Sequence, residues 1–211
     1  MFIKKTGILC GFYKFLNVLF EIAQQVKLKQ VFSGKRLDEV HALYETAFPA
    51  SEKKPFSMIV SGQGTGLVEI LSLEENNRFL GLAIMAKAGD RVLLDYFAIA
   101  DEVRGHGAGS AALQALRERY QGMRIIIEIE STKCEDEEEL ALRTRRKKFY
   151  LRNGFTMLPY YIDLWGTEME MLSNGQPCPY EEYLDIYTTA FGTKVSDKIH
   201  FLGDAPAADE I

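Results

Sequence analysis

Three glycines within five positions are the strongest chemical signal in the sequence. The stretch VRGHGAGSAA, residues 103–112, holds Gly105, Gly107 and Gly109 and then continues into small helix-forming residues. Glycine at this density costs much backbone entropy on folding, so we expect that these positions require a backbone without side chains. A glycine-rich turn before a helix exposes unpaired amide N–H groups at the positive end of the helix dipole, where phosphates bind well. The stretch therefore predicts a phosphate-binding turn.

Two common phosphate-binding motifs do not fit this turn. A P-loop places Lys and then Ser or Thr after its last glycine, whereas Gly109 is followed by Ser110 and Ala111. The dinucleotide fingerprint G-x-G-x-x-G opens the first helix of a βαβ unit. Here the spacing is G-x-G-x-G, and three segments that read as an antiparallel meander of strands precede it. The context is therefore wrong for a P-loop and for a Rossmann domain.

A third pattern fits the turn. IADEVRGHGAGSAAL resembles the R/Q-x-x-G-x-G/A signature of the GNAT superfamily, the acetyl-coenzyme A-dependent N-acyltransferases. Arg104, Gly107 and Gly109 stand at its three defining positions. In that family the pyrophosphate of coenzyme A lies on the amides of this turn, so the resemblance implies acetyl-coenzyme A as cosubstrate.

A second motif strengthens the resemblance. FYLRNGF, residues 149–155, is similar to a later motif of the family in which a tyrosine precedes Gly-Phe by four residues. Tyr150, Gly154 and Phe155 occupy those positions. With the flanking elements, the resemblance covers about residues 26–173. It implies an α/β (α+β) fold: a mixed, mostly antiparallel sheet of six to seven strands with one splayed parallel pair, flanked by helices.

The resemblance also implies which residues contact the coenzyme. The phosphates are expected on the amides from Val103 to Ser110 together with the Arg104 side chain, and the pantetheine arm beside the end of the third strand of the meander. The implied coenzyme-binding residues are Ile99, Ala100, Val103, Arg104, Gly105, His106, Gly107, Ala108, Gly109 and Ser110. The arm fills the gap where the parallel strands, 91–99 and 123–131, separate.

The resemblance implies that an amine attacks the acetyl thioester of the coenzyme and releases its thiol. This reaction needs an acid and a base. A free thiol has a pKa near ~8.5, so protonation of the departing sulfur helps the reaction, and Tyr150 is the candidate acid by its matching position. A lysine-like amine has a pKa near ~10.4 and must lose a proton before it attacks. The candidate bases are the carboxylates of Asp95, Glu128 and Glu130. Period-two alternation in a strand predicts that Glu128 and Glu130 share one face.

The resemblance therefore implies an N-acetyltransferase that moves the acetyl group of acetyl-coenzyme A to a primary amine of a small molecule or peptide by direct attack. Two alternatives stay open from the sequence. One is a catalytically silent module of the same fold that binds coenzyme A as a sensor or scaffold. The other is a turn that binds a different phosphate ligand, such as a nucleotide.

The elements that must position these residues follow from the hydrophobic periodicity. Alternation predicts strands near residues 26–32, 67–73, 79–86, 91–99, 123–131, 156–164 and 167–173. Helical spacing predicts helices over 37–48, after the glycine turn, over 135–155 and over 179–192. The second glycine cluster, SGQGTG at 61–66, precedes a strand rather than a helix and is predicted to be a mobile connector.

The predicted organisation is one domain with two additions. Residues 1–25 form an N-terminal extension, because Lys14, Asn17 and Glu21 interrupt its apolar run and no small-residue cleavage site follows. Residues 26–192 form a single domain, and residues 193–211 form a partly disordered tail. The aromatic helix at 179–192 is expected to pack on its own sheet or on a partner, which makes a homodimer a candidate assembly.

Composition excludes several classes of protein. The net charge of −5 argues against a general nucleic-acid binder, because neutralising phosphates requires a basic face. The three cysteines, Cys10, Cys134 and Cys178, are far apart and predict neither a disulfide framework nor a metal site. The expected location is the cytoplasm, without a membrane partner.

Overall fold

The structure is a computed structural model that describes residues 26–205. The predicted N-terminal extension, residues 1–25, lies outside the described residues, as do residues 206–211. In chain order the strands are β1 (Lys27–Gln30), β2 (Val68–Glu75), β3 (Arg78–Ala88), β4 (Arg91–Ile99), β5 (Arg124–Glu130), β6 (Thr156–Leu164), β7 (Thr167–Ser173) and β8 (Ile199–Asp204). The helices are α1 (Lys35–Ala47), α2 (Phe56–Gly64), α3 (Ala108–Arg119), α4 (Glu137–Arg152), α5 (Tyr180–Phe191) and α6 (Thr193–Ser196).

The strands form one sheet in the order β1-β2-β3-β4-β5-β7-β6-β8. Of the pairs between described strands, β4 with β5 is parallel and the others are antiparallel. The predicted fold class, a mixed and mostly antiparallel sheet with a parallel splayed pair and flanking helices, is confirmed. The prediction of six to seven strands was too low, since the sheet has eight strands within residues 26–205.

Helices cover both faces of the sheet. On one face, α3 and the end of α4 pack on alternate strand residues such as Leu71, Leu94 and Ile127. On the other face, α1 and α2 pack around Ile70 and Ile84, and α5 packs beside them. Successive strand residues point to opposite faces, so both sides of the central strands are apolar. The aromatic helix α5 therefore packs on its own sheet.

The tail predicted to be partly disordered, residues 193–211, includes an ordered part, residues 193–204. They form α6 and β8, and β8 pairs antiparallel with β6 from Ile199 to Asp204. The pairing continues the sheet at its edge, because β6 would otherwise present unpaired backbone groups there. Tyr180 donates its hydroxyl to the carbonyl of Ile199 at 2.8 Å, which ties the new strand to α5.

The second glycine cluster is not a mobile connector, because α2 continues to Gly64. The Gln63 side chain is buried; its amide donates to the carbonyl of Val31 at 2.9 Å and accepts from the N–H of Ile70 at 3.0 Å. A Cβ on Gly62 would lie 2.6 Å from Cγ2 of Val68, so this glycine lets the helix approach β2. The structure of this segment depends on contacts with residues that are distant in the sequence, which hydrophobic periodicity does not reveal.

Candidate functional site

A cavity of about 760 Å³ lies where β4 and β5 separate. The two parallel strands pair only through Arg91–Leu93 and Arg124–Ile126. Beyond this point the register of β4 with β3 shifts, which leaves Asp95 as an extra residue between Leu94 and Tyr96. A bulge of this kind bends its strand and increases the local twist. The bulge accounts for the splay and directs Asp95 into the opening.

The glycine turn borders the cavity with free backbone amides. Gly105 and Gly107 have φ of 85° and 84°, in the left-handed region that favours glycine. The N–H of Ala111 donates to the carbonyl of Gly107 at 3.0 Å, and that is where hydrogen bonding of α3 begins. The amides of residues 105–110 donate to no backbone acceptor elsewhere in the described range. An anion in the cavity can therefore receive several N–H donors together with the helix dipole.

Gly109 has a different role from the other two glycines. A Cβ at this position would lie 3.2 Å from Cζ of Phe149 and 3.7 Å from Cγ1 of Ile99. Its missing side chain allows the first turn of α3 to pack closely against α4 beside the cavity.

Some of the groups predicted to contact the coenzyme already have hydrogen-bond partners within the protein. The amides of Val103 and Arg104 donate to the carbonyls of Ala100 and Asp101, at 3.0 and 3.2 Å, in a 3₁₀ turn over Asp101–Val103. The Arg104 guanidinium donates to the carbonyl of Ile99 at 2.9 Å and pairs with Asp101 at 2.8 Å. The two amides are occupied by the 3₁₀ turn, and the guanidinium is occupied by its contacts with Ile99 and Asp101.

Of the ten predicted coenzyme residues, eight line the cavity and two do not. The eight are Ile99, Val103, Arg104, Gly105, Gly107, Ala108, Gly109 and Ser110. Ala100 and His106 are not among its lining residues.

Tyr150, the predicted acid, lies on α4 and lines the same cavity. Its side chain is buried between Phe149 and Phe155, with ring centroids 5.2 and 6.0 Å away. Burial raises the pKa of the Tyr150 phenol to about 12, an effect that the nearby Arg146 opposes. The phenol therefore keeps its proton at neutral pH and has one to give.

Asp95, the first candidate base, is already paired. The ammonium of Lys54 lies 2.7 Å from Oδ1 of Asp95, and both side chains are at most 3% exposed. Burial raises the pKa of Asp95, while the charge of Lys54 and its hydrogen bond oppose that rise. A carboxylate neutralised by a buried ammonium is poorly available as a proton acceptor.

Glu128, the second candidate, is held by two phenols of α5. The hydroxyl of Tyr183 donates to Oε1 at 2.5 Å and that of Tyr187 donates to Oε2 at 3.2 Å. Burial, with a further contribution from Asp95, raises the pKa of Glu128 to about 7. A cavity-lining carboxyl group that titrates near neutral pH suits general base catalysis.

Glu130, the third candidate, is paired with two arginines. It forms ion pairs with Arg143, at 3.3 Å, and with Arg146, both on α4. Although period-two alternation predicted a shared face for Glu128 and Glu130, the two carboxylates have different partners. Glu128 contacts tyrosines of α5, and Glu130 contacts arginines of α4. Glu130 is the last residue of β5, and its two guanidinium partners lie on α4.

Sequence reasoning missed one group of residues entirely. Lys54 and the tyrosines of α5 complete the site around Asp95 and Glu128. In the sequence, Lys54 stands in a polar segment between two prolines, and Tyr183 and Tyr187 are ordinary apolar positions of an amphipathic helix. No local signal distinguishes them, because the residues that they contact are 41 to 133 positions away.

Comparison with known proteins identifies the class of domain. Residues 67–157 match the family model for the acetyltransferase (GNAT) domain. This match confirms the resemblance found in the sequence: residues 67–157 are similar to the GNAT acetyltransferase domain. A comparison with curated protein sequences found no match.

Solved structures share this fold at low sequence identity. A protein described as a GNAT-family acetyltransferase from Bacteroides thetaiotaomicron is 19% identical with a TM-score of 0.67, covering 79% of this chain and 99% of its own. An aminoglycoside 6′-N-acetyltransferase complexed with coenzyme A is 12% identical, with a TM-score of 0.56 and coverage of 72% and 99%. A Bacillus subtilis acetyltransferase in complex with coenzyme A is 15% identical, with a TM-score of 0.50 and coverage of 70% and 97%. At these identities the likeness concerns the fold.

None of the helices described within residues 26–205 is both long enough and apolar enough to cross a membrane.

Proposed function

We propose that this chain is an N-acetyltransferase that transfers the acetyl group of acetyl-coenzyme A to a primary amine by direct attack. One observation carries the proposal: the free amides of the glycine turn, the Tyr150 phenol and the Glu128 carboxylate line one cavity between the splayed strands. The solved relatives with coenzyme A in their structures support the same choice of cosubstrate.

The residues present fit acetyl-coenzyme A. Amides of residues 105–110 would hold the diphosphate, because they lack other acceptors and the glycines leave no Cβ in the way. The separated ends of β4 and β5 would hold the pantetheine arm. The cosubstrate supplies an activated acetyl group as a thioester, and the chain supplies position and proton transfers.

Glu128 is the proposed general base. Of the three candidate carboxylates it is the one without a cationic partner within ion-pair distance among the described residues. It takes one proton from the acceptor ammonium, which leaves a neutral amine with a free electron pair. That pair forms the new C–N bond as the C–S bond breaks.

Tyr150 is the proposed general acid. Its phenol gives a proton to the departing sulfur, and the tyrosinate takes the second proton that the acceptor nitrogen must lose. The products are an amide, a free thiol and a protonated Glu128, so all three protons of the starting ammonium are accounted for. Burial raises the pKa of this phenol to about 12, so it holds its proton until the thiolate departs, and the tyrosinate that forms is basic enough to take the proton of the acceptor nitrogen.

Calorimetry with acetyl-coenzyme A, followed by a screen of amines that records thiol release, tests the proposal. We expect saturable binding and release of thiol with at least one amine. Binding without thiol release across a broad panel would favour the silent coenzyme-binding module. Displacement of acetyl-coenzyme A by ATP or NAD would instead favour a nucleotide ligand, and absence of binding at millimolar concentrations would contradict the proposal.

A further inference from the structure

The Lys54 ammonium lies in a box of aromatic rings. Its nitrogen is 4.7 to 5.1 Å from the ring centroids of Tyr96, Trp165, Tyr187 and Phe191. Its side chain is 3% exposed and its charge meets Asp95 at 2.7 Å. Aromatic faces around a desolvated cation, with a carboxylate beside them, are how proteins recognise ammonium groups. We call the position of this nitrogen the ammonium site.

The box is built from rings that lie outside the segment that carries Lys54. Its walls come from β4, from the turn between β6 and β7 and from α5. Lys54 itself comes from the irregular segment between α1 and α2. The hydroxyl of Tyr44 donates to its carbonyl at 2.7 Å and that of Tyr96 accepts from its N–H at 2.9 Å, so the backbone is fixed. The flexible side chain alone places the ammonium in the box.

Two polar atoms of the ammonium site have no hydrogen-bond partner among the described residues. They are the buried Oδ2 of Asp95 and the buried Nε1 of Trp165. Buried polar groups are normally satisfied, so each points to a missing contact. Trp165 also has φ of 56°, an uncommon conformation for a bulky residue. Asp95 thus offers a spare acceptor beside the cation that the site holds.

A proton route joins the ammonium site to the proposed base. The Lys54 nitrogen is 3.5 Å from the Tyr187 hydroxyl, and that hydroxyl donates to Oε2 of Glu128 at 3.2 Å. An ammonium in this position can pass a proton to Tyr187 while Tyr187 passes its own to Glu128. Lys54, Asp95, Glu128 and Tyr187 line the same cavity as the glycine turn and Tyr150.

We propose that the ammonium site is where the acceptor nitrogen binds, that its acceptors are unbranched primary alkylammonium groups like that of a lysine side chain, and that Lys54 occupies it as an internal analogue. This inference rests on the proposed function, since it assigns the acceptor of the same reaction. The box favours a compact cation, and Asp95 excludes an anionic group at this point.

The chemistry at this position balances. The ammonium loses one proton through Tyr187 to Glu128, and the nitrogen forms a bond to the thioester carbon as the carbon–sulfur bond breaks. Tyr150 protonates the sulfur and recovers a proton from the nitrogen. The same step on Lys54 itself gives an acetylated side chain and a free thiol, so Lys54 is also a site of self-acetylation.

The variant Lys54→Ala tests the inference with n-butylamine as the probe. This substitution removes the ammonium and leaves the box empty. We therefore expect the KM for n-butylamine to fall roughly tenfold or more below that of the unaltered chain. Lys54→Met fills the box without a charge and is expected to show no gain. Lys53→Ala removes the neighbouring lysine, which pairs with Glu45 outside the cavity, and serves as the matched control.

Mass spectrometry of the unaltered chain provides a second measurement that needs no variant to fold. Prolonged incubation with acetyl-coenzyme A and no added amine should place one acetyl group on Lys54, above the background on Lys35, whose side chain is 90% exposed, and at a rate independent of protein concentration.

Calorimetry with acetyl-coenzyme A on each protein separates the possible failures. Loss of binding by the unaltered chain contradicts the proposed function and this inference with it. Binding with neither the gain in Lys54→Ala nor acetylation of Lys54 overturns the ammonium site alone. If Lys54→Ala does not fold, the acetylation of Lys54 decides, and its absence overturns the inference.

Discussion

At the scale of single residues, the structure separates three carboxylates that look alike in the sequence. Asp95 is neutralised by Lys54, Glu130 is paired with two arginines, and Glu128 is held only by phenols. The environment, and not the residue type, gives Glu128 a pKa of about 7.

Replacement of Glu128 by Gln should remove the base and keep the shape of the side chain. We expect kcat/KM to fall on the order of 10²-fold, the usual contribution of a positioned base. In the unaltered chain kcat/KM should rise with pH through about 7 as Glu128 loses its proton, and this limb should vanish in the variant. Glu130→Gln is the matched control, and a profile that keeps its limb in Glu128→Gln would reject the assignment.

Replacement of Tyr150 by Phe should slow the loss of the thiolate. The ring still packs against Phe149 and Phe155, so we expect unchanged affinity for acetyl-coenzyme A and a fall in kcat on the order of 10²-fold. Thiol release at several pH values measures this effect, with Tyr161→Phe, a tyrosine that does not line the cavity, as control. Full turnover at every pH would remove Tyr150 from the mechanism.

At the scale of elements, the cavity is formed by two local features of the backbone. The bulge at Asp95 turns β4 away from β5, and the glycine turn delivers the start of α3 with free amides. Both depend on backbone conformation, so substitutions that change φ should affect binding more than substitutions that change charge.

Gly107→Ala should therefore weaken acetyl-coenzyme A binding. At φ 84° an alanine costs about 1–2 kcal/mol of stability, and relaxation of that strain would move the amides that follow. Gly175→Ala is a matched control with φ 91°, open space for a Cβ and a position outside the cavity. Calorimetry should show a higher Kd for Gly107→Ala alone, while thermal unfolding shows similar losses for both. Equal affinities would mean that the turn does not hold the phosphates.

At the scale of the whole molecule, the site imposes a cost on the fold. Glu128 has a folded-state pKa of about 7, above the ordinary value of 4.5 for its side chain, so between these values the folded chain binds more protons than the unfolded chain. A raised carboxyl pKa means that stability is greatest below the lower value and is lost as pH rises through the upper one.

The difference in unfolding free energy between Glu128→Gln and the unaltered chain should therefore grow in favour of the variant from pH 5 to pH 8. The pKa difference limits the growth to at most roughly 3 kcal/mol, and water in the cavity reduces it. Urea unfolding at a series of pH values measures it. A constant difference would show that Glu128 titrates normally in the folded chain.

Much of the fold follows from local sequence. Period-two alternation and helical spacing predicted the strands and helices that surround the turn, because each element has buried residues at fixed intervals. The elements that local sequence did not predict, at residues 61–64 and 193–204, depend on distant partners: Gln63 contacts Val31 and Ile70, and β8 pairs with β6.

The glycine turn, the tyrosine of the second motif and the resemblance to the GNAT domain can be read from the amino-acid sequence alone, because each signal lies within a few neighbouring residues. Tertiary packing was needed to show that Glu128 is the candidate base without a cationic partner among the described residues and that Lys54 meets Asp95 in an aromatic box. Those pairings join residues from separate elements, and the desolvation that shifts the pKa of Glu128 arises only when the elements pack together.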